Sequence, residues 1–247
     1  MFEDPGYTKL PWLLPKVPIY RTGKYGTWEL NKQQIPILRG YFNGIQPFGE
    51  NYILKKGKKV WMSTTPMELE SMAPYIEAAH GHVVVVGGGM GIYLTNVIAK
   101  PEVTEVTLIE KDEEVLDFLY KNEMSVTASG NLSKEWTTKL SIIHKDVFDI
   151  KNWSEEVDFL YIDIWMTLGT KQALPDTKKI WNIIKSKEIA FWSQEIEFIH
   201  WCWEQGFQPP PSKGQVKKWV KSTGAPLYTM KNFEDWSHRA AKNIALM

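Results

Sequence analysis

Cysteine is almost missing from this chain of 247 residues. Cys202 stands alone, which excludes an intrachain disulfide and any zinc site built on several cysteines. A charge bias is missing as well: lysine plus arginine and aspartate plus glutamate number 29 each, so no global field draws the protein to nucleic acid or to anionic membranes. The five histidines show no H-x-x-x-H or other ligand spacing, and no metal site is expected. The longest nearly uncharged stretch, 83–99, contains four glycines and reads as strand, turn and helix, not as a bilayer span. The opening residues, MFEDPGYTKL, put two acids and a proline where a signal peptide is basic and then apolar. A soluble, cytoplasmic protein is expected.

Early prolines are plentiful. Pro5, Pro11, Pro15, Pro18 and Pro36 exclude a long helix before about residue 60, and ENYILKKGKKVWMS, apolar on both sides of KKGKK, reads as a β-hairpin with a lysine-rich turn. Residues 1–62 are therefore expected to form a small β-rich element that could cover a ligand or join a homodimer. In STTPMELESMAPYIEAAHG, Thr65, Pro66 and Glu68 spell a capping box with proline at the first helical position, and Gly81 supplies a stop. This predicts a helix over 66–79.

Strand and helix then alternate. Apolar strands are predicted at 82–86, 104–110, 139–146, 157–165 and 188–194, separated by segments with apolar residues at helical spacing. The expected fold is α/β: a Rossmann-like, doubly wound, mostly parallel sheet over 63–206, followed by a partly helical extension at 207–247. Such a sheet binds its ligand beyond the carboxyl ends of the strands.

A glycine cluster sits at the first of those ends. Gly87, Gly89 and Gly91 form G-x-G-x-G, which lets backbone approach a ligand with no Cβ in the way. A dinucleotide would need a third glycine at 92, where Ile92 stands, and this weakens the nicotinamide or flavin reading. Glu110 closes the second strand, where a carboxylate can accept both hydroxyls of a ribose.

With VVVVGGGMG, VTLIEKDEEV, IIHKDVFD and VDFLYIDIW in order at strand ends, residues 60–205 resemble the class I S-adenosylmethionine-dependent transferases, most closely the spermidine-synthase-like branch. The resemblance implies S-adenosylmethionine as cofactor. Its amino-acid part would lie on Gly87, Gly88, Gly89 and Gly91, its ribose on Glu110, and its adenine amine by Asp146, with Asp149 a competing choice. Neighbouring Lys111 and Val147 would complete the cofactor contacts, and Asp163 would lie at the reacting centre as base or orienting acceptor. Tyr93 and Trp165 could line the acceptor pocket, and Trp192 and Gln194, near the end of the fifth strand, could touch a small-molecule substrate.

The sequence departs from that branch where an acid is expected inside the glycine turn and shortly after the fourth strand. Met90 occupies the first place, and Met166 or Thr167 the second. A neutral Met90 would spare the carboxylate of intact S-adenosylmethionine from like-charge repulsion, so the expected activity is methyl transfer to an unidentified small acceptor. Aminopropyl transfer from the decarboxylated cofactor is the alternative, and a cofactor-binding or assembly protein without turnover is a third reading. Trp181, Trp201 and Trp203 fall in helical patterns that suit packing, and Cys202 between two of them reads as buried and inert. Lys213, Lys217, Lys218 and Lys221 surround Trp219 in the tail, a pattern commoner as a solvated face than as a nucleic-acid surface.

Overall fold

The computed structural model describes residues 9–122 and 138–244. The first eight residues, on which most of the leader reading rests, and Glu123, the last residue of a predicted helix, lie outside them.

The chain opens with an antiparallel sheet. Its strands are β1 (Gly23–Tyr25), β2 (Trp28–Gln34), β5 (Glu50–Lys56) and β6 (Lys59–Ser63), in the order β1-β2-β5-β6. Strands β5 and β6 are the predicted hairpin, with Gly57 supplying the positive φ of its turn. Strands β3 (Ile37–Arg39) and β4 (Ile45–Pro47) form a separate pair. Trp28 and Leu30 alternate inward along β2, so a strand with a polar outer face still buries two large side chains.

Helix α1 (Pro66–Ala78) follows, close to its predicted span, but its N-terminus is built differently. The Thr65 side chain makes no cap bond. It pairs with the Ser63 hydroxyl at 2.9 Å, and the expected reciprocal bond from Glu68 is not formed. Two positions on, Glu70 is buried and accepts from the Phe42 and Asn43 backbone amides at 2.7 and 3.0 Å and from Gln46 Nε2 at 2.9 Å. A carboxylate with that many donors is stable without a countercharge, and it ties the β3–β4 loop to α1.

The core is a five-stranded parallel sheet of β7 (Gly81–Val86), β8 (Val103–Glu110), β9 (Leu140–His144), β10 (Val157–Ile162) and β11 (Ser186–Phe191), ordered β11-β10-β7-β8-β9. Val83, Val84, Val85 and Val86 are all buried, as the central strand of such a sheet demands, and each contributes about 1.5–3 kcal/mol of burial. Helices α2 (Ile92–Ile98), α3 (Glu113–Lys121), α4 (Ala173–Ile183) and α5 (Gln194–Glu204) connect and flank the strands. The register matters for function. Val86 is level with Ile109 on one side and Ile162 on the other, so Gly87, Glu110 and Asp163 emerge side by side at the switch point of the sheet.

The tail adds α6 (Lys213–Thr223) and α7 (Phe233–Asn243). Trp219 is fully buried against Phe198 and Phe233, with ring centroids 5.3 and 5.7 Å away, so the lysines of α6 do not share a surface with it. The extended PLYTM segment adds one parallel bridge, Ile189 to Leu227, and no full strand. Among the described residues no helix is long and apolar enough to cross a membrane.

Candidate active site at the sheet switch point

Two clefts meet at the glycine turn. The larger, of about 820 Å³, runs over the ends of β8 and β9 and is lined by Glu110, Lys111, Asp146 and Val147, with Ile109, Val115, Phe148 and Ile164 as apolar walls. The smaller, of about 420 Å³, runs toward α1 and is lined by Glu68, Gly88, Tyr93, Tyr161, Trp165 and Trp192. Trp61, Gly87, Gly89 and Asp163 belong to both.

The turn is shaped by contacts only glycine permits. A Cβ on Gly87, at φ 98°, would lie 2.1 Å from the Asp163 carbonyl oxygen, so β7 and β10 can exit this close together only with glycine here. Gly91 caps α2 at φ 73° and lines neither cleft. Gly88 donates its amide to Glu110 Oε2 at 2.7 Å, and Asp112 donates its amide to Oε1 at 2.8 Å. Glu110 is thus held rigid by backbone, and each oxygen keeps a lone pair for a hydroxyl in the cleft.

Asp146 caps the short 3-10 turn Val147–Asp149 by accepting from Phe148 N at 3.1 Å, and lies 3.5 Å from Lys111 Nζ. Its competitor Asp149 lines neither of these two clefts. Asp163 is half-buried at the junction, and burial pushes its carboxyl up to about 7. Tyr93 lies flat on Tyr161, ring centroids 3.8 Å apart, and bonds its hydroxyl to the Tyr75 carbonyl. Trp165 and Trp192 direct their indole N–H groups away, to Asp176 Oδ2 at 3.2 Å and Ser71 Oγ at 3.0 Å, so neither N–H is free for a ligand. Gln194 stands apart from both clefts: it is buried and donates to the Tyr228 carbonyl at 2.6 Å.

Met90 also lies outside both clefts. It is fully buried, and its backbone carbonyl accepts the Tyr20 hydroxyl at 2.9 Å. The charge of its side chain therefore has no direct bearing on a ligand, contrary to the expectation built on it. The acid of the small cleft comes from elsewhere. Glu68, released from capping, faces it, and burial together with the Asp163 charge pushes its carboxyl well above the ordinary value, against the pull of the Ser63 amide.

The N-terminal element was expected to be able to cover a ligand, but the residues it brings to the cleft as a roof were not foreseen. Trp28, Lys56 and Trp61 of the N-terminal sheet line the larger cleft. Asp112 fastens them: it accepts from Trp28 Nε1 at 3.0 Å and from Lys56 Nζ at 2.7 Å while capping α3 through the Glu114 amide. Burial raises the Asp112 carboxyl, and the bonds from Lys56 and Trp28 outweigh it, leaving the group below its ordinary range. Thr27 N adds a bond to Glu114 at 2.9 Å and Arg21 N one to Asn122 at 2.7 Å. At the opposite end of the sheet, His82 lies near Glu105 and Glu155, but its ring nitrogens face the Glu156 carbonyl at 2.8 Å and Thr107 Oγ1 at 2.9 Å.

Residues 67–186, just under half of the chain, match the family model described as the spermine/spermidine synthase domain. That stretch runs from α1 to the first residue of β11 and contains the glycine turn, Glu110, Asp146 and Asp163. It is a spermidine-synthase-like domain of the class I S-adenosylmethionine-dependent transferase superfamily, with an S-adenosylmethionine-type cofactor. No curated protein matches the chain in sequence. Matching solved structures include a spermidine synthase from Thermotoga maritima, at 16% identity and TM-score 0.38 over 70% of this chain and 56% of that one. A candidate RNA methyltransferase from Pyrococcus horikoshii matches at 21% identity and TM-score 0.37, over 58% of this chain and 68% of that one. The chain spans little more than half the length of that spermidine synthase.

Proposed function

We propose that the protein transfers an aminopropyl group from decarboxylated S-adenosylmethionine to a small amine. The observation that carries this reading is the lining of the smaller cleft: two carboxyl groups, Glu68 and Asp163, beside the glycine turn, and no lysine, arginine or histidine among the described residues. Intact S-adenosylmethionine would bring a carboxylate beside its own ammonium against these acids, with no cationic side chain lining the cleft to receive it. The decarboxylated donor brings the ammonium alone, and a cationic acceptor suits the same wall.

On this reading the adenosyl group occupies the larger cleft, its ribose hydroxyls on Glu110 and its adenine between the apolar walls, near Asp146, Val147 and Lys111. The sulfonium sits at the junction beside Asp163. The chain's own work is alignment and exclusion of water: Trp61 spans both clefts from above, and the roof fastened by Asp112 shields the sulfonium from hydrolysis. A sulfonium is a good leaving group, so the remaining chemical task is to remove a proton from the incoming amine, which Asp163 is placed to do.

The test supplies 1,4-diaminobutane with either donor and identifies products by mass spectrometry. An aminopropylated amine and 5′-methylthioadenosine are expected from the decarboxylated donor. A methylated amine from S-adenosylmethionine would restore the methyl-transfer reading, and binding of both donors without product would favour a non-catalytic role.

A further inference from the structure

Helix α1 begins with an acid that the helix itself does not use. Because Thr65 turns its hydroxyl to Ser63, Glu68 takes no part in capping and lines the smaller cleft. Tyr161 lines the same cleft, and its buried hydroxyl has no hydrogen-bond partner among the described residues. The other polar tips on this wall are occupied: the Tyr93 hydroxyl by the Tyr75 carbonyl, the Trp165 indole by Asp176 and the Trp192 indole by Ser71. Two carboxyls, of which Glu68 also accepts from the Ser63 amide, and one unpartnered hydroxyl face the same small space, and a primary ammonium brings three N–H donors.

The two acids are not equivalent. Asp163 lines both clefts and so stands where donor and acceptor meet, whereas Glu68 lines only the smaller one. Without a cation, two carboxylates in one half-buried cleft repel each other, and one of them retains a proton. An entering ammonium removes that repulsion.

We propose that Glu68 is a second catalytic residue, which receives the acceptor's ammonium together with Asp163 and the Tyr161 hydroxyl and does not contact the adenosyl part of the donor. This inference rests on the transfer reading above. The balance of the step is simple. The ammonium gives one proton to a carboxylate of the pair, and its freed electron pair forms a bond to the carbon next to the sulfonium. The carbon–sulfur bond breaks, its electrons neutralise sulfur as a thioether, and the proton later leaves to solvent.

The experiment uses the full chain saturated with 5′-methylthioadenosine and titrated calorimetrically with butylamine at pH 8. Glu68→Gln is expected to weaken amine binding at least tenfold while 5′-methylthioadenosine affinity stays within about twofold, which also reports an intact fold. Glu68→Asp is expected to recover part of the loss. In turnover, Glu68→Gln should move the rising limb of the kcat/KM profile against pH, which a merely structural role would leave in place. Amine binding and a pH profile unchanged by Glu68→Gln, with 5′-methylthioadenosine still bound, would overturn the role of Glu68 alone. No binding of 5′-methylthioadenosine to the native protein would overturn the transfer reading and this inference with it.

Discussion

The Gly88 backbone amide donates to Glu110 Oε2 at 2.7 Å, so the glycine turn after β7 and the acid that ends β8 form one rigid unit. Each element explains the other: the amide fixes the carboxylate under the larger cleft, and the carboxylate satisfies a donor that the turn would leave buried and unpaired. Glu110→Ala is therefore expected to lower affinity for adenosyl ligands by tenfold or more and to destabilise the fold by about 1–3 kcal/mol. Calorimetry with 5′-methylthioadenosine and thermal unfolding check both effects, and a loss of stability with unchanged affinity would remove Glu110 from the ligand site.

Asp112 joins the roof to the larger cleft. Asp112→Ala removes the acceptor of Trp28 Nε1 and Lys56 Nζ and the cap of α3. It should cost about 1 kcal/mol of stability through the cap and weaken donor binding chiefly by faster release. Stopped-flow dissociation measured by tryptophan fluorescence separates the two. An unchanged release rate would show that the roof does not hold the ligand.

On the proposed transfer reading, Asp163 is expected to supply the pH dependence of turnover. Its carboxyl must be ionised to take a proton, and burial holds it at about 7, so kcat should rise as pH climbs through 7 and level off above. Asp163→Asn should reduce kcat by roughly 10²–10⁴-fold and flatten that limb. A rising limb that persists in Asp163→Asn would assign the titration to another group.

How much of this was legible in the sequence follows from which contacts are local. Val83–Val86, Val106–Ile109 and Phe159–Ile162 are buried on both faces, so their apolar runs marked the strands to within a few residues. The register of those strands then brings Gly87, Glu110 and Asp163 together without further information. Glu68 was read as a capping residue because an acid three positions after a threonine fits a capping box equally well, and only the Ser63–Thr65 hydroxyl pair decides against it. Trp28, Lys56 and Trp61 could not be assigned to the site, since what places them is the docking of the N-terminal sheet on α3 through Asp112, Glu114 and Asn122. Met90 looked like a statement about ligand charge because sequence does not show that its side chain turns inward.

Glu195 makes stability depend on pH. It is fully buried, accepts the Tyr75 hydroxyl and, at 3.0 Å, the Tyr41 hydroxyl, and burial holds its carboxyl at about 7 despite those bonds. The folded state thus holds this proton more tightly than the unfolded chain. Its stabilising effect is complete below the unfolded value near 4.5, is lost as pH rises through 7, and is absent above; the loss is on the order of 3 kcal/mol. Glu195→Gln should flatten denaturant-measured stability between pH 5 and 8, and an equally steep decline in the variant would assign the effect elsewhere.

The most direct measurement is a calorimetric comparison of the two donors on the native protein. A cleft with two acids and no base predicts that decarboxylated S-adenosylmethionine binds more tightly than S-adenosylmethionine, by tenfold or more, and that Glu68→Gln narrows the gap. Tighter binding of S-adenosylmethionine itself would contradict the assignment of the smaller cleft to a cationic arm.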